Sequence, residues 1–183
     1  MSTGDTGRVL CVVVCGAGPA PRVGTLVDLA HGDGWSVRIV ATPSGLSFLD
    51  VAVLRDQTGS PVQSNYSDAR ARARGRNSAA DALVVAPATY NTINKLAQGI
   101  SDNYALNVLA EAVGRGTPTA ILPFVNAALA SRRPFLRSVE RLREENVQVL
   151  LGPGRWVPHP PGEGDRHLDD FPWGRVLEAV RNL

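Results

Sequence analysis

Hydrophobic positions along the chain fall into short unbroken runs separated by small-residue turns and amphipathic stretches, an alternation that predicts strands and helices taking turns in an α/β sheet. Residues 8–15 (Arg-Val-Leu-Cys-Val-Val-Val-Cys) are almost continuously apolar and β-branched, the composition of a central parallel strand covered on both faces. Gly16-Ala17-Gly18-Pro19 then turns into a helix reaching about His31 and ended by Gly32 and Gly34, and residues 36–42 supply the second strand. A β-α-β unit with such a turn is the layout of a Rossmann-like sheet, which binds ligands beyond the carboxyl ends of its strands. Pro43-Ser44 opens another helix, with Phe48 on its apolar side. Residues 83–86 form the next strand, stopped by Pro87. A helix over about 102–113, a strand over 119–122 ending at Pro123, a helix over 134–145 and a strand over 147–151 complete the alternation. The expectation is a single three-layer α/β domain over residues 1–183, with a parallel sheet of about five or six strands.

Two stretches interrupt this rhythm. Residues 58–80 turn to Ser, Asn, Gln, Arg and Gly and read as a long loop. Residues 152–170 hold four prolines (Pro153, Pro158, Pro160 and Pro161) among four glycines, so they should wrap over a surface in extended form. Helical spacing returns through Val176, Leu177 and Val180, packing the terminus back on the core.

Candidate chemistry gathers after the third strand. Thr89, Asn91, Thr92 and Asn94 crowd hydroxyls and carboxamides onto the carboxyl end of that strand, where helix amides opening at Asn91 or Thr92 would face a bound group. Ser101-Asp102-Asn103 repeats the arrangement at the start of the next helix.

Composition narrows the classes. Hydrophobic residues make up 44% and charged residues 20% of the 183, ordinary for a globular protein and incompatible with wholesale disorder. A net charge of +2 is too small to imply nucleic acid. Arg70, Arg72, Arg74 and Arg76 alternate with small residues; they fit a solvated loop, a contact for an anionic substrate group or nucleic acid, although no aromatic residue interleaves to stack a base. Cys11 and Cys15 share one strand face roughly 13 Å apart, too far for a disulfide, and read as small buried residues, with Cys15 beside the glycine turn able to line a site. Residues 1–7 lack the apolar core of a signal peptide, and no run approaches a membrane span, so a cytoplasmic protein is expected. His159, Asp165, His167 and Asp169 match no standard metal spacing, and no metal is expected.

The residues also carry a resemblance. Pro87-Ala88-Thr89-Tyr90-Asn91-Thr92 resembles the Pro-Ala-Ser-Ala-Asn-Thr motif of the homo-oligomeric flavin-containing cysteine decarboxylases, and Gln98-Gly99-Ile100-Ser101-Asp102-Asn103 resembles their Asn-Gly-Ile-Cys-Asp-Asn. That family includes phosphopantothenoylcysteine decarboxylase and the epidermin-type peptidyl-cysteine decarboxylases, and its members bind FMN. The likeness extends over about residues 8–152. Gly16-Ala17-Gly18-Pro19 is similar to the family's phosphate turn, with Ala17 in place of its serine; Thr42, Ser44 and Phe48 match the segment lying over the flavin. The resemblance implies FMN as cofactor, held by Gly16, Ala17, Thr42, Ser44, Phe48, Pro87, Ala88, Thr89, Asn91, Thr92, Ser101 and Asp102. Ser44 and Phe48 can equally serve as a helix cap and as core packing.

Leu122-Pro123-Phe124-Val125-Asn126 resembles the family's Pro-x-Met-Asn segment, whose asparagine binds the substrate carboxylate; Asn126 is kept, while Val125 replaces the methionine. An asparagine there is also an ordinary turn residue. The family's catalytic histidine, counted back from Pro87, falls on Ala73, and no histidine occurs between His31 and His159. His159 then stands as the candidate base, beside Asn91 near the reacting carbon and Asn126 on the carboxylate, although His159 and His167 can each simply face solvent. The resemblance therefore implies an FMN-dependent oxidative decarboxylase acting on a C-terminal peptidyl cysteine or a small thiol-carboxylate, built as a homotrimer or dodecamer, with no nucleic acid or membrane partner. The alternative is an FMN-binding homologue without decarboxylase chemistry, a regulatory or partner subunit or another redox flavoprotein. Flavin prenyl transfer is weaker, because the arginines and serines gripping a prenyl phosphate have no evident match.

Overall fold

The computed structural model describes residues 7–67 and 79–181; the four arginines at 70, 72, 74 and 76, Ala73 and the first six residues lie outside them. Five parallel strands, β1 (Val9–Val14), β2 (Ser36–Ala41), β3 (Ala82–Ala88), β4 (Thr119–Pro123) and β5 (Gln148–Val149), form one sheet in the order β2-β1-β3-β4-β5. The central pairs are in register from Leu10 with Ala82 and from Leu83 with Thr119. Every residue of β3 and β4 is buried, as expected for strands covered on both faces.

Helices α1 (Gly24–Gly32), α2 (Pro43–Leu46), α3 (Val51–Thr58), α4 (Tyr90–Ala97), α5 (Tyr104–Gly114), α6 (Ala127–Ala130), α7 (Arg133–Glu144) and α8 (Trp173–Arg181) supply the outer layers. Alternate strand residues face opposite cores. Val12, Val14, Val84 and Leu122 meet α1, α3 and α8 on one side. Val13, Cys15, Val85 and Ile121 meet α4, α5 and α7 on the other. Phe135 is the largest fully buried side chain and stacks on Tyr90 at 5.3 Å; burying a ring of this size is worth about 1.5–3 kcal/mol. An Arg181–Asp33 ion pair ties the end of α8 to the end of α1. Among the described residues no helix is long and apolar enough to cross a membrane.

The expected elements are present, with four differences. β3 runs through Pro87 to Ala88 instead of stopping at the proline. The missing proline N–H falls where the ladder to β4 shifts register between Val85 and Ala88, and Pro87 still accepts the Cys15 amide at 3.1 Å. The helix opening at Pro43 ends after Leu46, and a new one starts at Val51 under an Asp50 cap; Phe48 falls in the break and is 41% exposed, so it does not pack in the core. The last strand shrinks to Gln148–Val149. The proline-rich stretch makes a 3-10 turn at Gly164–His167 and isolated bridges Leu151↔Trp156 and Asn126↔His159. Its His159 is buried and does not face solvent, because it lies 4.9 Å from the Phe124 ring and stacks on His167 at 5.7 Å.

Candidate functional site

The order of strands reverses between β1 and β3, whose crossovers leave toward opposite faces, so a crevice opens beyond their carboxyl ends. A cavity of about 440 Å³ occupies it. Three chain segments wall it.

The first is the turn after β1. Gly16 lies against Ser44, whose backbone would stand 3.0 Å from an added Cβ. The second follows β2. Thr42 hangs on β1 by donating its amide to Val14 at 3.0 Å, and its hydroxyl caps α2 by accepting the Gly45 amide at 3.0 Å. Gly45 packs directly on β1, since a Cβ there would lie 2.3 Å from the Val14 carbonyl oxygen. These contacts present Thr42, Pro43 and Ser44 to the cavity.

The third segment follows β3. Thr89 caps α4 by accepting the Thr92 amide at 3.3 Å, and the two hydroxyl oxygens are 3.1 Å apart. Beneath them the Cys15 thiol donates to Thr92 Oγ1 at 3.3 Å. Burial pushes the Cys15 thiol pKa up, against hydrogen bonds from Thr92 and Thr89 that pull it down, so it is a protonated donor at neutral pH. Thr89, Asn91 and Thr92 line the cavity, and the first amides of α4, which have no partner within the helix, open at the same rim. Asn103 caps α5 through the Leu106 amide at 3.0 Å and brings a second helix start to the wall.

Charge is balanced here. Lys95 and Asp102 both line the cavity and pair with each other, and the hydrogen bond from Lys95 holds the Asp102 carboxyl below its usual range. The site therefore offers backbone amides, hydroxyls and carboxamides as donors, a set suited to a phosphate or to the polar edge of a ring.

Of the twelve residues expected at a cofactor, Gly16, Thr42, Ser44, Thr89, Asn91, Thr92 and Asp102 line this cavity. Ala17, Pro87 and Ala88 are buried behind it, whereas Phe48 and Ser101 are exposed and off its wall. Asn94 turns away: its Oδ1 accepts from Ser138 at 2.8 Å and its Nδ2 donates to Tyr90 at 2.9 Å. Asn126 caps α6 through Oδ1, taking the Leu129 amide at 2.9 Å, its only side-chain bond among the described residues, which leaves Nδ2 for an acceptor. His159 is not on the cavity wall. Its Nδ1 donates to the Pro160 carbonyl at 2.9 Å, and its ring sits against Gly164. Asn103, singled out with Ser101 and Asp102 as a polar group at the next helix start, is on the wall, whereas Pro43 and Lys95 were not anticipated as lining; Lys95 stands one helical turn beyond Asn91, a spacing that could have placed it on the same face. Among the described residues no cluster of His, Cys, Asp and Glu could hold a metal.

Residues 1–169 match the Flavoprotein family model. The coenzyme A biosynthesis bifunctional protein CoaBC of Vibrio cholerae is 25% identical over 151 residues, which is 80% of this chain and 35% of that protein; the chain thus spans about a third of its length. The FMN-dependent cysteine decarboxylase SpaF superposes with a TM-score of 0.68 at 26% identity, covering 96% of this chain and 98% of SpaF. The cysteine decarboxylase TvaF from thioviridamide biosynthesis has the same fold, with a TM-score of 0.71 at 22% identity over 95% and 98%. A polar cavity at the switch point of a five-stranded parallel sheet and a family match over most of the sequence lead to one assignment: this chain belongs to the flavoprotein family.

Proposed function

We propose that this chain binds FMN in the rim cavity and oxidatively decarboxylates a C-terminal peptidyl cysteine. The observation that carries this reading is the donor-lined cavity of about 440 Å³ at the β1/β3 switch point, in a chain alike to SpaF along nearly its whole length. The Gly16 turn, the first amides of α4 and the hydroxyls of Ser44, Thr89 and Thr92 would hold the cofactor, with its phosphate charge met by helix dipoles because Lys95 is already paired. When bound, FMN supplies the two-electron oxidant for the substrate thiol. Asn91 borders the reacting carbon, and Nδ2 of Asn126, on the neighbouring strand end, donates to the substrate carboxylate. The active assembly is a homotrimer or a dodecamer of trimers.

A second reading keeps FMN but not the decarboxylation, and one observation favours it. The chain has Ala73 where these enzymes carry a histidine, and His159 lies in a ring cluster off the cavity wall. The absorption spectrum of the purified protein, followed by mass spectrometry of cysteine-terminated peptides, separates the two. Yellow protein that removes carbon dioxide and two hydrogens from a peptide supports the enzyme; yellow protein that leaves every peptide unchanged supports the second reading. Protein that takes up no FMN overturns both.

A further inference from the structure

We propose that the groove between β5 and α8 is a second binding site, for a small carboxylic acid anion with an apolar tail. The groove encloses about 370 Å³ and shares no wall residue with the rim cavity. Its floor is apolar, with Leu122 on β4, Leu150 just past β5 and Ala179 on α8. Its rim carries Arg155 and Arg175, each held by neutral carbonyls. Arg155 donates Nη1 to Val149 at 2.9 Å, and Arg175 donates Nη1 to Gly154 at 2.9 Å. Neither pairs with a carboxylate among the described residues, so both guanidiniums are steadied without being neutralised.

A third guanidinium reinforces the field. Arg143 on α7 donates to the same Val149 oxygen at 2.9 Å; burial and then the Arg155 charge push its pKa down, against an upward pull from Glu140. Donors also outnumber acceptors on the groove wall. Arg155 and Arg175 engage their carbonyls through Nη1 alone, and Trp156 holds its indole N–H buried without an acceptor among the described residues. Among the described residues Glu178 is the one acid on the wall, and against two guanidiniums it leaves a positive charge over. A carboxylate supplies both the acceptors and the missing charge, while an apolar chain behind it covers Leu122, Leu150 and Ala179. A bare phosphate would use the first half of this surface and leave the second wet.

Octanoate is the probe, titrated into the full chain by isothermal calorimetry at low salt, with octanol and inorganic phosphate as controls. Saturable one-to-one binding of octanoate is expected, at least about tenfold tighter than either control and weaker as salt rises. R155A is expected to weaken it about tenfold, the effect of one charge-assisted hydrogen bond. Because R155A also releases the Val149 carbonyl, E178Q provides a readout that a loosened fold cannot imitate: removing the wall's acid should tighten octanoate about two- to fivefold. A179L, which fills the floor, should abolish binding. Absence of saturable octanoate binding, equal binding of octanol or of phosphate, affinity unmoved by both R155A and E178Q, or binding that survives A179L would each overturn the proposal. No octanoate binding together with a smaller oligomer in R175E would overturn it in favour of a neighbouring copy as the occupant. None of these readouts passes through FMN, so they stand or fall apart from the functional reading above.

Discussion

The turns after β1 and β3 occupy equivalent places at the sheet rim, yet they make a polar surface in opposite ways. The β1 turn contributes backbone: Gly16 is pressed against Ser44, and Gly18 is roofed by Leu168 and Phe124. The β3 turn contributes side chains: Thr89 caps α4, Thr92 rests on Cys15, and Asn91 stands exposed at the mouth. Adding an atom should therefore damage the first wall, and removing one should damage the second.

The sharpest break is expected at Gly45, which holds α2 down on β1. G45A places a Cβ 2.3 Å from the Val14 carbonyl, and backbone on both sides has to move, at a cost of about 1–3 kcal/mol or more. Thermal unfolding should fall by several degrees and FMN uptake should vanish. G18A is the internal control, since the one close approach of its Cβ, 2.7 Å, is to the flexible end of Leu168 while the Phe124 ring stands at 3.4 Å, and its melting temperature should fall much less. On the other wall, T89A removes both the α4 cap and a cavity hydroxyl, for a loss of about 1 kcal/mol in urea unfolding that T89S restores.

A pH scan sharpens the contrast. Burial holds the Cys15 thiol above its ordinary 9.0, so the native state keeps the proton longer than the unfolded chain does. The stabilisation is complete below that value. It is lost as pH rises toward the native pKa, with a slope of at most about 1.4 kcal/mol per pH unit. C15S should flatten the alkaline limb of the stability curve, and an unchanged limb would argue against a buried thiol. The smallest effect belongs to the Lys95–Asp102 pair: D102N should leave the melting temperature unchanged while freeing Lys95 for an anion. FMN affinity should then rise at low salt and return to the wild-type value at high salt.

What the sequence made legible follows from the same division. Continuous apolar runs located all five strands, and the Pro-Ala-Thr-Tyr-Asn-Thr and Ser-Asp-Asn segments located the cavity wall, because those features are local. Lys95 was missed because its place on the wall depends on where α4 lies against α5. Asn94 was assigned to the rim on composition alone, while helix rotation gives it to Ser138 on α7. The ring cluster of Phe124, Trp156, His159 and Phe171 joins β4 to a stretch more distant in sequence, with no periodicity to announce it. The break between α2 and α3 was readable in principle from Asp50, a capping residue placed just before a fresh apolar repeat.

The position of α8 has a consequence for anyone trimming the protein. Similarity to the family model ends at residue 169, but Phe171, Trp173, Val176, Leu177 and Val180 close one of the two hydrophobic layers. A truncation drawn at the homology boundary would uncover β3 and β4 on that face and yield a sticky, open-sided fragment, although the rim residues would all still be present.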